Sequence, residues 1–100
     1  MLKIVIADDE FPSRQELRAL LETNSNLEII AECEHGEAVL DYFSNNTADA
    51  VFLDIEMPDM NGIYVGNELK KSNPAVIIFI VTSYSEYLDE AMRFHVFRYL

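Results

Sequence analysis

Basic residues are scarce in this sequence of 100 amino acids, which has 7 Lys and Arg against 18 Asp and Glu. The formal net charge of −11 repels phosphate backbones and anionic membrane surfaces, so we expect no direct contact between these residues and nucleic acid. Tryptophan is absent, and glycine and proline number three each. Half of the residues are apolar, which excludes a disordered, collagenous or low-complexity chain. The composition therefore predicts one globular domain.

Cysteine and long apolar runs are also rare. Cys33 is the only cysteine, which excludes an intrachain disulfide, and its position after an apolar stretch indicates a buried, unreactive thiol. The apolar run that ends at Val81 is far shorter than the roughly 20 residues of a membrane-spanning helix. No basic segment followed by an apolar one begins the chain, so we expect a cytoplasmic protein with no membrane partner.

The spacing of apolar residues predicts strands that alternate with helices. The strands are predicted at 2–7, 27–33, 50–53, 75–81 and 96–100, and the helices at 12–22, 36 to the asparagines at 45 and 46, 62–72 and 86–94. Leu17, Leu20 and Leu21 mark the apolar face of the first helix. Short connections favour an α/β domain with a doubly wound five-stranded parallel sheet, in which the third and fourth strands are central and the second lies nearer an edge.

Polar side chains follow three of the predicted strands. Asp8 and Asp9 come after the first, Asp54 after the third, and Thr82 with Ser83 after the fourth. Ligands of such sheets bind beyond the carboxyl ends of the strands, where these residues would meet. Neighbouring carboxylates either share a proton or hold a hard cation, and oxygen ligands without His or Cys favour Mg²⁺ or Mn²⁺. The pattern predicts a site suited to phosphoryl transfer.

A simpler interpretation of the first acidic group is that it stabilises the N-terminus of the following helix. Carboxylates are favoured there by the helix dipole and by capping, which would account for Asp8, Asp9 and Glu10. Asp54 has no helix directly after it, so capping leaves the second acidic position unexplained.

Four segments closely resemble the receiver domain of two-component response regulators: IADDE, LDIEMPDMNG, VTS and FRYL. The resemblance runs from residue 2 to residue 100 and implies a flavodoxin-like fold and a partner sensor histidine kinase. It also implies a role for each matching position: Asp54 as the phosphoacceptor, Asp8 and Asp9 as Mg²⁺ ligands, the Glu56 backbone carbonyl as a further metal ligand, Thr82 as the hydroxyl that bonds the phosphoryl group, and Tyr99 as the switch aromatic.

The resemblance implies that residues 1–100 form a receiver domain that is incomplete at its C-terminus. The family places a lysine three residues after the switch aromatic, beyond Leu100, and a fifth helix after it. We therefore expect the isolated chain to be destabilised, or to cover an exposed sheet face against another copy as a homodimer or swapped oligomer. The segment TSYSEYLDEAMRFHVFRYL resembles receivers joined to LytTR-type DNA-binding domains, which implies that DNA is bound only through an absent C-terminal domain.

The predicted function is a signalling switch that catalyses only its own phosphorylation and dephosphorylation, and is not a turnover enzyme. Two alternatives stay open. One is a receiver-like adaptor that works without phosphorylation. The other is a Mg²⁺-dependent phosphohydrolase with an aspartyl nucleophile after the first strand, although that class needs an acid/base aspartate two residues after the nucleophile, where this chain has Glu10 after Asp8.

Overall fold

Five parallel strands form a single sheet in the computed structural model, which describes residues 1–82 and 94–97. The strands are Leu2–Ala7 (β1), Leu27–Cys33 (β2), Ala50–Asp54 (β3), Ile77–Val81 (β4) and His95–Phe97 (β5). Their order across the sheet is β2-β1-β3-β4-β5. The predicted doubly wound sheet is confirmed, with β3 at its centre and β2 at one edge.

Three helices are described, each connecting two parallel strands. They are Phe11–Glu22 (α1), Gly36–Asn45 (α2) and Gly62–Ser72 (α3). Pro12 suits the first turn of α1, which needs no backbone donor there, while side chains of His35 and Asn61 cap α2 and α3. The helix predicted at 86–94 lies outside the described residues apart from Phe94, as do the last three residues of the predicted fifth strand.

The helices cover both faces of the sheet, so that the domain has three layers. Successive side chains of a strand point to opposite faces. Accordingly, Ile4 and Ile6 of β1 pack in one buried cluster with Leu17 of α1, whereas Val5 belongs to the larger cluster with α2 and α3, which includes Val39. Burial on both faces explains why the central strands are continuous apolar runs.

The buried side of α1 differs from the prediction at one position. Leu17 and Leu21 are buried, but Leu20 is 45% exposed, so its placement on the buried face is wrong. Arg14 is buried instead of Leu20. At 100° per residue, Arg14 and Leu21 lie on the same side of Leu17 and Leu20 lies on the other. The buried side of α1 therefore includes Arg14, which the pattern of apolar residues alone does not predict.

None of the described helices combines the length and apolar character that a membrane span requires.

Candidate functional site

Three carboxylates meet at the carboxyl ends of β1 and β3. These strands are neighbours, and Ala7 pairs in register with Leu53, so the residues that follow them, Asp8 and Asp54, stand side by side. Asp8, Asp9 and Asp54 each have a carboxylate oxygen within 4.8 Å of the other two. The sequence prediction that these three side chains converge is confirmed by the geometry.

The backbone holds Asp8 from two directions. Its amide donates to the carbonyl oxygen of Cys33 on β2 at 3.1 Å, and its side-chain Oδ1 accepts the amide of Glu10 at 2.9 Å. Asp8 is buried, Asp9 is exposed and Asp54 is half-buried, so the site opens to solvent on the Asp9 side.

Capping of α1 by the side chain at its N-cap position is not observed. Glu10 occupies the N-cap position of α1, and its side chain makes no capping hydrogen bond. The hydrogen bond that Asp8 accepts from Glu10 closes the β1–α1 loop and aims the carboxylate at the cluster.

Asp54 is the carboxyl group most affected by this environment. Burial, followed by the charges of Asp8 and Asp9, raises the pKa of Asp54 from 3.8 to about 7. A backbone hydrogen bond from Glu56 to the carboxylate opposes the rise. Asp54 therefore keeps a proton close to neutrality unless a positive charge is brought to the cluster.

A hard divalent cation fits this donor set. The three side chains offer only oxygen, and their mutual repulsion is relieved by a cation that each can reach. Mg²⁺ takes one or two carboxylates and keeps several waters, which suits a cluster open to solvent at Asp9. The chemistry of these residues thus agrees with a magnesium site.

Thr82 lies beside the acidic cluster in the sheet. Asp54 pairs in register with Val81 of β4, and Thr82 is the next residue, buried at the same edge. The predicted switch residue Tyr99 and the polar Ser83 lie outside the described residues. The backbone amide of Glu56 contacts Asp54, whereas the predicted role of the Glu56 carbonyl as a metal ligand stays a prediction.

The loop after β3 is pressed against the site. The amide of Gly62 donates to the carbonyl of Ile55 at 2.8 Å, and a Cβ at Gly62 would lie 2.2 Å from the carbonyl oxygen of Asp54. Only a residue without a side chain allows this approach. The glycine therefore permits α3 to begin directly behind Asp54.

Asp59 joins the same loop to α2. Its two carboxylate oxygens accept the amides of Gly36 and Glu37, each at 2.9 Å, at the start of that helix. The side chain thus satisfies two donors that the helix itself leaves unpaired. Sequence reasoning missed this contact because Asp59 is 22 and 23 residues from its partners.

Arg14 is a second residue that sequence reasoning missed. It is 5% exposed, and its Nη1 donates to the backbone carbonyl of Asp8 at 2.8 Å while its Nε donates to Glu32 of β2 at 2.9 Å. The available signal was a charged residue within the α1 stripe together with acidic residues in β2.

Comparison with known proteins gives one consistent family. The family model for the response regulator receiver domain matches residues 4–100. Sensory transduction protein LytT of Bacillus anthracis is 41% identical over 101 residues, covering 100% of this chain and 41% of the relative. Transcriptional regulatory protein YpdB of Escherichia coli is 31% identical over 99 residues, covering 99% of this chain and 41% of the relative. The chain thus spans about two fifths of the length of these curated relatives.

A solved structure shares the whole fold. The response regulator TrrA of Thermotoga maritima, crystallised in complex with Mg²⁺ and BeF, superposes with a TM-score of 0.88 and 31% sequence identity. The match covers 100% of this chain and 87% of TrrA. The similarity therefore includes the sheet edge at which the three aspartates meet.

Proposed function

Because this chain belongs to the response regulator receiver domain family, we propose that it is a signalling switch that accepts a phosphoryl group on Asp54. The observation that carries the proposal is the convergence of three carboxylates, with oxygens within 4.8 Å, at the ends of two neighbouring central strands. Asp54 is the half-buried member at the middle of the sheet, and Asp8 and Asp9 flank it from β1.

Mg²⁺ is the proposed cofactor. Asp8, Asp9 and Asp54 would supply side-chain oxygens, and the backbone carbonyl of Glu56 would supply a further one. When bound, the ion neutralises charge on the transferring phosphoryl group. The TrrA complex with Mg²⁺ and BeF supports this assignment, since its fold matches over the entire chain.

The proposed donor is a phosphohistidine of a sensor histidine kinase. A carboxylate oxygen of Asp54 forms a bond to phosphorus, while the phosphorus–nitrogen bond breaks and its electron pair stays on the histidine nitrogen. The product is an acyl phosphate on Asp54. Asp54 must be ionised for this step, so the cation that the cluster favours also prepares the nucleophile.

The proposed response begins at Thr82. It follows Val81, the residue of β4 that pairs with Asp54, and its hydroxyl would bond an oxygen of the phosphoryl group. Movement of Thr82 would leave space for Tyr99 to rotate inward, so that a local charge biases a two-state element. The output surface would then lie around the fourth helix and β5.

We extend the proposal to the whole protein from the relatives. They continue beyond the matched stretch, and YpdB is a transcriptional regulatory protein. The activity proposed for the whole protein is transcriptional regulation in the cytoplasm, with DNA bound by a domain C-terminal to these residues.

We also propose that residues 1–100 self-associate through an apolar face. Sedimentation at increasing concentration tests this proposal. A chain that stays monomeric at high concentration contradicts it.

Intact mass spectrometry tests the phosphoacceptor. The chain is incubated with Mg²⁺ and a small acyl phosphate, beside Asp54→Ala and the control Asp41→Asn, which changes an exposed carboxylate of α2. We expect one added phosphoryl group on the wild-type chain and on Asp41→Asn, and none on Asp54→Ala.

Other outcomes separate the alternatives. A wild-type chain that is folded and binds Mg²⁺ but gains no phosphoryl group contradicts the proposal and favours the phosphorylation-independent adaptor. Repeated turnover of a phosphate monoester that survives Asp54→Ala favours the phosphohydrolase with Asp8 as its nucleophile.

A further inference from the structure

Arg14 joins the metal-ligand loop to the edge strand of the sheet. It is the buried basic side chain in the described part of the chain, and it points from α1 back toward the end of β1. Its guanidinium donates to the Asp8 carbonyl at 2.8 Å and to Glu32 Oε1 at 2.9 Å. The guanidinium is planar and carries its N–H donors at fixed angles, so it can bond both of these acceptors at once. The single ammonium nitrogen of a lysine has no such fixed geometry.

β2 thereby fixes the Asp8 backbone at both of its polar groups. The Asp8 amide donates to the Cys33 carbonyl, and the Asp8 carbonyl accepts from Arg14, which is held by Glu32, the residue before Cys33. The Asp8 carbonyl shares a rigid peptide plane with the amide of Asp9. The orientation of that plane therefore sets the directions in which both carboxylates leave the loop.

We propose that Arg14 is a positioning residue for the cation site: by holding the Asp8 carbonyl, it keeps the Asp8 and Asp9 carboxylates aimed at Asp54. The inference rests on the proposed function, since it assigns to Arg14 the preorganisation of that same site. Partners that orient metal ligands typically change metal affinity 10- to 100-fold when they are removed.

The sign of the effect separates positioning from simple electrostatics. Arg14 carries a positive charge near an acidic site, so removing that charge alone strengthens the attraction for a cation. Loss of positioning weakens cation binding instead. A weaker affinity after Arg14 is neutralised is therefore opposite to the purely electrostatic expectation.

Arg18 provides a matched control. It also pairs with Glu32, and with Glu22 one turn further along α1, and its side chain is partly exposed. Arg14→Met and Arg18→Met each remove one positive charge, an ion pair to Glu32 and a second ion pair to an exposed glutamate, Glu34 for Arg14 and Glu22 for Arg18, but only the first removes the donor to the Asp8 carbonyl.

Calorimetric titration with Mg²⁺ tests the inference, at a temperature at which circular dichroism shows each variant to be folded. We expect about 10-fold weaker binding in Arg14→Met and wild-type affinity, within about twofold, in Arg18→Met. Arg14→Lys keeps the charge but has one donor nitrogen in place of the two that reach the Asp8 carbonyl and Glu32, so an intermediate affinity is expected. If Arg14→Met does not fold, Arg14→Lys decides the question, and wild-type affinity in that variant contradicts the inference.

Three other results would contradict the inference: unchanged binding in Arg14→Met, tighter binding in Arg14→Met, or equal weakening in the two methionine variants. A purely structural role predicts the first of these, because it lowers the stability of Arg14→Met without changing the affinity of its folded form. A wild-type chain that binds no Mg²⁺ contradicts the proposed function itself, and so the two failures are distinguishable.

Discussion

Asp54 is held in an environment that disfavours its charge. It is half-buried, and one of its carboxylate oxygens lies within 4.8 Å of carboxylate oxygens of Asp8 and Asp9. All three side chains are acidic, so none of them offsets the charge of the others. The pKa of Asp54 consequently rises to about 7. The unfavourable charge on this carboxyl group is relieved by either a proton or a divalent cation, so the ionisation of Asp54 is coupled to the binding of a cation.

The stability of the metal-free chain should therefore fall as the pH rises from about 4 to about 7. Folding raises the pKa of Asp54 from 3.8 to about 7, so the folded chain binds this proton more tightly than the unfolded chain does. The stabilisation is complete below the lower value and is lost as the pH passes the higher one. Thermal unfolding in the presence of a chelator measures the effect.

Asp54→Asn provides the comparison for this pH dependence. The amide does not ionise, so the melting temperature of the variant should change less across the same pH range and should exceed that of the wild-type chain at pH 8. Parallel curves for the two proteins would show that other groups control the pH dependence.

The β3–α3 loop is the element that closes the site from behind. Gly62 brings the start of α3 against the Asp54 carbonyl, and Asp59 attaches the loop to the start of α2. The hydrogen bond from Gly62 to Ile55 adds a third attachment. The position of Asp54 is thus determined by the loop that follows it as well as by β3.

Gly62→Ala should destabilise the chain and weaken Mg²⁺ binding together. The new Cβ would stand 2.2 Å from the Asp54 carbonyl oxygen, so the backbone of one or the other must move. We expect a loss of about 1–3 kcal/mol in the free energy of unfolding, the range for overpacked sites. Urea unfolding and Mg²⁺ titration measure the two effects.

Gly36→Ala is the matched substitution. Its Cβ would meet side-chain carbons of Met60 and Val65 at 2.9 Å, which can give way more easily than a backbone carbonyl. A smaller loss of stability with unchanged Mg²⁺ affinity is expected. Equal effects on affinity in the two variants would count against a special role for the Gly62 contact.

Asp59→Ala should destabilise α2 by about 1 kcal/mol, because two amides at its start lose their acceptors. Desolvation raises the pKa of Asp59, but the backbone amides of Glu37, Gly36 and Asp59 itself, together with the charge of His35, lower it further, so the net shift is downward and the side chain is ionised at neutral pH. Asp59→Asn keeps one carbonyl acceptor and should lose less. Chemical unfolding at pH 7 compares the two, and equal losses would mean that the capping bonds do not stabilise the fold.

The whole molecule carries a large negative charge around two apolar clusters, one on each face of the sheet. The net charge of −11 means that the acidic side chains repel one another, and three of them, Asp8, Asp9 and Asp54, meet at one edge of the sheet. Salt reduces this repulsion over distances beyond the Debye length, about 10 Å at 0.1 M. A bound divalent cation acts at much shorter range.

Mg²⁺ should therefore stabilise the chain more than NaCl does at equal ionic strength. Binding to the folded state alone adds about 2.7 kcal/mol at a concentration 100 times the dissociation constant. The excess over NaCl should disappear in Asp9→Asn, which neutralises the exposed carboxylate of the cluster and leaves the buried residues unchanged. If the excess persists in that variant, Mg²⁺ stabilises the chain elsewhere or only by screening.

Local patterns were sufficient for the order of the elements and for the acidic cluster. Apolar periodicity predicted β1, β2 and α3 at their observed bounds, and the polar residues after β1 and β3 predicted the meeting of Asp8 with Asp54. Both inferences succeed because periodicity is a property of neighbouring residues, and parallel strands bring their carboxyl ends to one edge.

Only the tertiary structure decided which polar side chains serve the site from a distance. Arg14 is buried because Glu32, 18 residues away, and the Asp8 carbonyl satisfy its guanidinium. Asp59 caps a helix whose first residue, Gly36, lies 23 positions before it. The raised pKa of Asp54 likewise depends on burial and on the charges of Asp8 and Asp9 in the loop that follows β1. Each effect is set by distances between segments remote in the chain, which packing of the three layers fixes and no local pattern contains.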